Sequence, residues 1–222
     1  MSEARNYART CGWAYVLIFA AAIPGELLAT GSLIVDGNPA ATVAKILASQ
    51  QIWRAGYSAE ALTMILDIAV AWLLYVLLAP ANRSLALLGA FFRLTYVAVY
   101  APAVIANIEA LPLAQQHLVT AVDFALHVHN EAFALSLIFF GANLLVAGFL
   151  IGRAPIGVRW LSILLEASGA AYIVNSFTIF LAPAVHAVLY PWILLLPFLG
   201  EIGLMLWLLF TKRFDGVQLQ HA

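Results

Sequence analysis

The chain has 222 residues, of which 64% are hydrophobic and 9% charged, and its mean hydropathy is +0.98. Soluble domains are usually about 45–50% apolar and about 25% charged, so this composition excludes a soluble globular domain, a disordered chain and a coiled coil. The balance of 10 basic against 11 acidic residues argues against nucleic acid as a partner, which needs a basic surface. The single cysteine, Cys11, allows neither an internal disulfide nor a cysteine metal cage. A protein embedded in the lipid bilayer remains.

Six apolar stretches are each long enough to cross a bilayer as a helix, which needs about 20 residues. They are apolar on all sides rather than alternating, so helices fit them better than barrel strands do. The sequence therefore predicts an all-α polytopic membrane bundle that forms one domain over residues 1–222. The predicted spans lie near residues 11–34, 57–78, 85–108, 124–151, 161–181 and 188–210.

The basic residues predict the orientation of the bundle. If six spans alternate, both termini and most of the basic residues share one side, whereas the opposite side holds only Lys45 and Arg54. Cytoplasmic loops carry the excess of Lys and Arg, so both termini are predicted to be cytoplasmic. A cleaved signal peptide after Arg5 and Arg9 is the alternative, but Glu26 and the length of the apolar run fit it poorly.

The first outer connection predicts an additional element near residues 39–51. Val43, Ile46 and Leu47 share one face at helical spacing, which is typical of a short amphipathic helix lying on the outer membrane surface. Trp53 and Tyr57 would then act as interfacial anchors. A solvated loop is the alternative interpretation.

Five ionisable residues lie in the middle layer of the predicted spans, about 13–22 Å from the cytoplasmic ends at the rise of an α-helix. Each charge at the bilayer centre costs about 2.5–3.5 kcal/mol, so each needs a partner. One guanidinium can grip one carboxylate and touch a second, but it cannot neutralise four. We expect the surplus acids to be protonated, wetted by a cavity or bound to a cation. The predicted buried polar network consists of Glu26, Asp67, Arg93, Glu166 and Glu201.

A second group of polar residues lies nearer the outer ends of the spans. This predicted outer polar cluster consists of Glu60, His127, His129 and Glu131. His127 and Glu131 share a helix face and could bind one metal ion or pair with each other, whereas His129 points about 200° away from His127. Neither the zinc motif nor the di-iron repeat is present. The favoured interpretation is therefore interfacial histidines with local partners, without a metal or another cofactor.

Several short sequence motifs, taken in their order and spacing, resemble those of one known family. They are residues 79–86, Phe91-Phe92-Arg93, His129 with residues 139–141 and 148–151, and Leu199-Gly200-Glu201 with residues 207–209. The chain resembles a bacterial family of small six-helix membrane proteins catalogued as domain of unknown function 4386. The resemblance implies acids at Glu26, Asp67 and Glu201, a basic residue at Arg93 and a histidine at His129. The chain departs from the family at Asn175, where an acid is more usual, which puts a charge role there in doubt.

The resemblance implies a multi-pass protein of the bacterial plasma membrane, and it implies no activity. Three functions stay open. A non-catalytic sensor, assembly or accessory factor is favoured, because no complete catalytic set or cofactor fingerprint is present; it predicts a dry interior with Arg93 and Asp67 as a structural clasp. A small proton-linked transporter or permease for a small solute predicts a water-accessible cavity reaching Arg93. A metal-dependent enzyme acting on a lipid-like substrate predicts that Glu60, His127 and Glu131 converge on a metal.

Overall fold

The computed structural model describes residues 2–25 and 31–215, and these residues contain helices and no strand. Glu26, one of the predicted network residues, lies outside the described residues. In chain order the helices are α1 (Glu3–Ile23), α2 (Gly31–Leu33), α3 (Pro39–Ala48), α4 (Gln50–Leu78), α5 (Arg83–Gln115), α6 (Val119–Arg153), α7 (Arg159–Leu181), α8 (Pro183–Leu189) and α9 (Leu195–Phe210). A 3₁₀ turn, Trp192–Leu194, precedes α9.

Five helical stretches among the described residues are long and apolar enough to cross a membrane. They are α4, α5, α6, α7 and the stretch Trp192–Phe210. The prediction of an all-α polytopic bundle is confirmed to this extent, and the last five predicted spans overlap these stretches. The first predicted span, residues 11–34, contains part of α1 and also residues that the structure does not describe.

Four of the described helices, α4, α5, α6 and α7, are longer than the predicted spans that they contain. α5 has 33 residues and continues through Pro102 and Pro112 to Gln115, beyond the predicted end of the span near residue 108. Membrane helices tolerate proline because neighbouring groups satisfy the freed backbone carbonyls. α6 has 35 residues, so the connection between the two helices shortens to a few residues.

Contacts between residues divide the chain into two compact units. Unit 1 contains the described residues of Met1–Val16, Asp67–Val97 and Ala134–Ala222, and unit 2 contains those of Leu17–Leu66 and Ala98–Phe133. The division falls within α1, α4, α5 and α6, so each of these helices contributes residues to both units. The single domain over residues 1–222 stays a prediction.

Unit 2 contains the short helix predicted near residues 39–51. α3 begins after Asn38, whose Oδ1 accepts a hydrogen bond from the backbone N–H of Ala41 at 3.0 Å, and Pro39 occupies its first turn. Both are favoured at a helix N-terminus. Val43 and Ile46 are buried in an apolar core of the same unit, so a solvated loop does not describe this segment. The core includes Leu33, Trp53, Ala110, Leu111, Ala114, Val122, Ala125 and Leu126.

Glycines allow α6 and α7 to approach closely in unit 1. A Cβ atom at Gly141 would lie 2.6 Å from the carbonyl oxygen of Gly169, and one at Gly148 would lie 2.8 Å from the carbonyl oxygen of Ser162. Neither position has room for a side chain without a shift of the backbone of α7. Small residues at such crossings bring membrane helices into direct backbone contact.

Candidate functional site

Arg93, in the middle of α5, is almost completely buried, with 1% of its surface exposed. Its Nε and Nη2 atoms both donate to Oδ1 of Asp67 on α4, at 3.0 and 2.5 Å. Asp67 is 3% exposed. The structure therefore pairs Arg93, the basic residue of the predicted network, with Asp67, one of its acids. Both hydrogen bonds go to one carboxylate oxygen, whereas the usual bidentate pair uses both oxygens.

The third nitrogen of the guanidinium contacts two further helices. Nη1 of Arg93 donates to the hydroxyl of Tyr15 on α1 at 2.8 Å and to Oδ1 of Asn143 on α6 at 3.4 Å. The amide nitrogen of Asn143 in turn donates to the carbonyl oxygen of Gly89 at 2.9 Å. A single side chain on α5 is therefore hydrogen-bonded to α1, α4 and α6.

Aromatic rings cover the charge of Arg93. Its guanidinium carbon lies 5.1 Å from the ring centre of Tyr15 and 4.9 Å from that of Phe140. Cation–π contacts at these distances are attractive, and more so where water is excluded. The ring of Phe140 also packs against Tyr96 and Tyr172, with ring centres 4.8 and 5.6 Å apart.

A second acid of the predicted network belongs to the same region of unit 1. The hydroxyl of Tyr172 on α7 donates to Oε1 of Glu201 on α9 at 2.7 Å. Glu201 lies within electrostatic reach of both Arg93 and Asp67, although Tyr172 provides its hydrogen bond. We call the set Tyr15, Asp67, Arg93, Asn143, Tyr172 and Glu201 the Arg93 centre.

The remaining described acid of the predicted network has a local partner. The hydroxyl of Ser162 donates to Oε1 of Glu166 at 3.3 Å, one turn away on α7. Glu166 also borders Gly148 on α6. The structure thus brings Asp67, Arg93 and Glu201 together, whereas Glu166 bonds within its own helix.

The space beside the Arg93 centre is small. A cavity of about 10 Å³ is lined by residues of α4, α5 and α6, including Tyr75, Gly89 and Asn143. This volume accommodates about one water molecule. Within the part of the chain that the structure describes, this cavity is too small to hold a solute beside the Arg93 centre.

Glu60, the first residue of the predicted outer polar cluster, is buried in unit 2. The amide of Asn107 donates to Oε1 of Glu60 at 2.9 Å, and the indole N–H of Trp53 donates to the carbonyl oxygen of Asn107 at 2.9 Å. The hydroxyl of Thr63 donates to the carbonyl oxygen of Glu60 at 2.7 Å. These contacts join α4 to α5 within this unit.

The histidines and Glu131 of the predicted outer cluster have different surroundings. His129 is buried, with its Nδ1 atom 3.1 Å from the carbonyl oxygen of Ala103. His127 and Glu131 are exposed, and Nε2 of His127 lies 3.9 Å from Oδ2 of Asp123. Within residues 2–25 and 31–215, no three His, Cys, Asp or Glu side chains form a group that could hold a metal ion. The convergence of Glu60, His127 and Glu131 that the enzyme hypothesis requires is therefore absent from these residues.

Sequence reasoning missed three residues of the Arg93 centre, namely Tyr15, Asn143 and Tyr172. Asn143 is a polar residue inside an otherwise apolar stretch of α6, and that signal could have identified it because buried amides join membrane helices. Tyr15 gave no comparable signal, since tyrosine is common near the ends of membrane spans.

A family model described as a domain of unknown function (DUF4386) matches residues 10–211. The chain belongs to this family. The match extends over all six residues of the Arg93 centre and confirms the resemblance drawn from the sequence motifs. An uncharacterized protein of Archaeoglobus fulgidus is 30% identical to this DUF4386 chain over 152 residues, which are 68% of the chain and 80% of the relative. No solved structure matches the chain.

Proposed function

We propose that this DUF4386 protein is a six-span protein of the plasma membrane with cytoplasmic termini, and that it acts without catalysis as a sensor, assembly or accessory factor. In this proposal the Arg93 centre is a clasp that holds the helices together. The observation that carries the proposal is that all three guanidinium nitrogens of Arg93 donate to side chains of the protein itself. These four hydrogen bonds use four of the five guanidinium N–H groups, whereas a substrate-binding arginine would keep more donors for its ligand.

Contacts between the two ends of the chain support an even number of crossings. The hydroxyl of Ser2 donates to the carbonyl oxygen of Phe214 at 2.8 Å, and Nη1 of Arg5 lies 3.2 Å from Oδ2 of Asp215. A chain whose ends meet on one side of a membrane crosses it an even number of times. Five long apolar stretches together with α1 make six. The basic residues near both ends support the cytoplasmic assignment.

The clasp would make correct helix association a condition for burying Arg93. A buried charge that loses its partner destabilises a protein by about 3–5 kcal/mol. Arg93 finds its acid on α4, a hydroxyl on α1 and an amide on α6, so an arrangement that lacks one of these helices leaves it incompletely satisfied. This requirement suits a protein whose role depends on one defined helix arrangement.

The native cysteine can test whether water reaches the clasp. Cys11 is fully buried, lies one turn before Tyr15 on α1, and is within electrostatic reach of Arg93. We expect a membrane-impermeant thiol reagent to leave Cys11 unmodified in the folded protein, and to modify it after denaturation in SDS. The matched control is Cys11→Ser combined with Ser84→Cys, which moves the thiol to an exposed position in the first turn of α5.

The result that would overturn the clasp is modification of Cys11 in the folded protein at the rate of the control thiol. Water would then reach the Arg93 centre, as the transporter hypothesis requires. The measurement is the modified fraction against time, by intact-protein mass spectrometry, in detergent and in inside-out vesicles.

A small proton-linked transporter is the second candidate, and one observation favours it. The cavity of about 10 Å³ is lined by Tyr75, whose hydroxyl accepts from the exposed Arg83, and by Asn143, which accepts from Arg93. A cavity between a surface residue and a buried charge could widen in another conformation. If this candidate is correct, the protein reconstituted in liposomes should take up a solute together with protons. Asp67→Asn should abolish that uptake.

A further inference from the structure

A concave surface lies where α1 and the end of α9 meet in unit 1. It has a volume of about 390 Å³ and is lined by Arg5, Arg9, Trp13, Leu209, Phe210 and Lys212. The volume falls in the range of ligand sites, about 300–1,000 Å³. Among the described residues, the lining includes three basic side chains and no acidic one. We call this surface the basic pocket.

Two segments of the chain form the lining, one on α1 and one at the end of α9. Arg5, Arg9 and Trp13 follow each other at intervals of four residues, so they share one face of α1. α9 ends at Phe210, and Lys212 follows two residues later. Trp13 is 55% exposed and Phe210 is 73% exposed. Guanidinium and ammonium groups therefore stand next to accessible apolar surface.

We infer that the basic pocket binds an anionic phospholipid. The headgroup phosphate lies among Arg5, Arg9 and Lys212, and the upper acyl chain lies against Trp13, Leu209 and Phe210. Basic pockets between membrane helices on the cytoplasmic side recognise such headgroups, and tryptophan is enriched at the level of the headgroups. A soluble anion would make no use of the apolar wall.

Asp215 pairs with one residue of the basic pocket but does not line the pocket itself. Its carboxylate pairs with Nη1 of Arg5 at 3.2 Å, and it is not part of the lining. The ion pair fixes Arg5 at the edge of the pocket, so Arg9 and Lys212 are the residues to change. The inference rests on the chain lying in a membrane and is independent of the role of Arg93.

The first experiment measures binding of phosphatidylglycerol and phosphatidylcholine to the full chain in detergent by native mass spectrometry. We expect the wild type to prefer phosphatidylglycerol. Arg9→Gln combined with Lys212→Gln should weaken binding about 30-fold, since each basic residue near the membrane surface contributes about fivefold. The control, Arg83→Gln combined with Arg159→Gln, removes the same charge elsewhere and should retain the preference.

Three outcomes would overturn the inference. They are equal binding of the two lipids, an equal loss in both double variants, and displacement of phosphatidylglycerol by millimolar inorganic phosphate, which would identify a free-anion site instead. If the Arg9 and Lys212 variant fails to fold, the wild type still decides. Phosphatidylglycerol with a photoreactive acyl chain should cross-link mainly to Trp13, Leu209 and Phe210. Cross-links spread evenly to other exposed apolar residues, such as Leu181 and Val188, would contradict the site.

Discussion

Arg93 directs two of its donors to a single oxygen of Asp67, at 3.0 and 2.5 Å. The third nitrogen, Nη1, is then shared between Tyr15 and Asn143. One side chain thus joins α5 to three other helices within unit 1. Because Arg93 is almost completely buried, each partner replaces hydration that the charge has lost. The residues of the Arg93 centre should therefore respond to substitution as a coupled set.

The first prediction concerns the pairing of Arg93 with Asp67. Arg93→Ala should lower the free energy of unfolding by about 3–5 kcal/mol, because it leaves a buried carboxylate without its partner. Arg93→Ala combined with Asp67→Asn should recover part of this loss, since the amide carries no charge. Unfolding in detergent with increasing SDS measures both variants.

Arg83→Ala is the control for the loss of an arginine. Arg83 is exposed, and its Nε atom lies 3.3 Å from the hydroxyl of Tyr75, so its removal should change stability by about 0.5 kcal/mol or less. A double variant no more stable than Arg93→Ala would show that the two residues are not energetically coupled.

The second prediction compares two tyrosines that both accept a hydrogen bond from an arginine. Tyr15→Phe removes the buried acceptor of Arg93 and should cost about 1 kcal/mol. Tyr75→Phe removes the exposed acceptor of Arg83 and should cost almost nothing, because water replaces it. Equal effects of the two substitutions on thermal unfolding would argue against a buried role for the Tyr15 hydroxyl.

The sequence predicted a helical bundle, and one of the three open functions predicted the pairing of Arg93 with Asp67. Bilayer thickness sets the length of an apolar span, and the part of the chain that the structure describes contains five such stretches. Arg93 and Asp67 carry opposite charges at similar predicted depth, so their pairing could be anticipated from the cost of burying either alone.

The partner that each polar side chain selects could not be predicted. His127 has Asp123 four residues before it and Glu131 four residues after it, and both neighbours share its face. The structure places it beside Asp123. Similarly, the sequence did not indicate that Glu166 would bond to Ser162 on its own helix while Glu201 bonds to Tyr172 on another. These choices depend on which faces the helices turn towards each other, and residue spacing within one helix does not fix them.

The third prediction concerns the charge of Glu201. Its Oε1 atom accepts a hydrogen bond from Tyr172 at 2.7 Å, and an amide oxygen can accept the same bond. Glu201→Gln should therefore preserve stability to within about 0.5 kcal/mol, whereas Glu201→Leu should cost about 1–3 kcal/mol because it removes the acceptor of a partly buried hydroxyl. If Glu201→Gln is as harmful as Glu201→Leu, the carboxylate charge itself is required for stability.

The last prediction uses two glycines of unit 1 with different surroundings. A methyl group at Gly141 would lie 2.6 Å from the carbonyl oxygen of Gly169, whereas at Gly203 its nearest neighbours would be side-chain atoms at 3.5 Å. Gly141→Ala should force α6 and α7 apart at a cost of about 1–3 kcal/mol. Gly203→Ala should be neutral or stabilising, because alanine favours a helix over glycine by about 1 kcal/mol.

Gly141→Ala should also affect the Arg93 centre. Phe140, the residue before Gly141, packs against Tyr172 of α7 with ring centres 5.6 Å apart, and its ring covers the guanidinium of Arg93. Separation of the two helices should loosen this cover, so Gly141→Ala should make Cys11 accessible to the thiol reagent while Gly203→Ala leaves it protected. Protection of Cys11 in both variants would show that the α6–α7 contact and the Arg93 centre are independent.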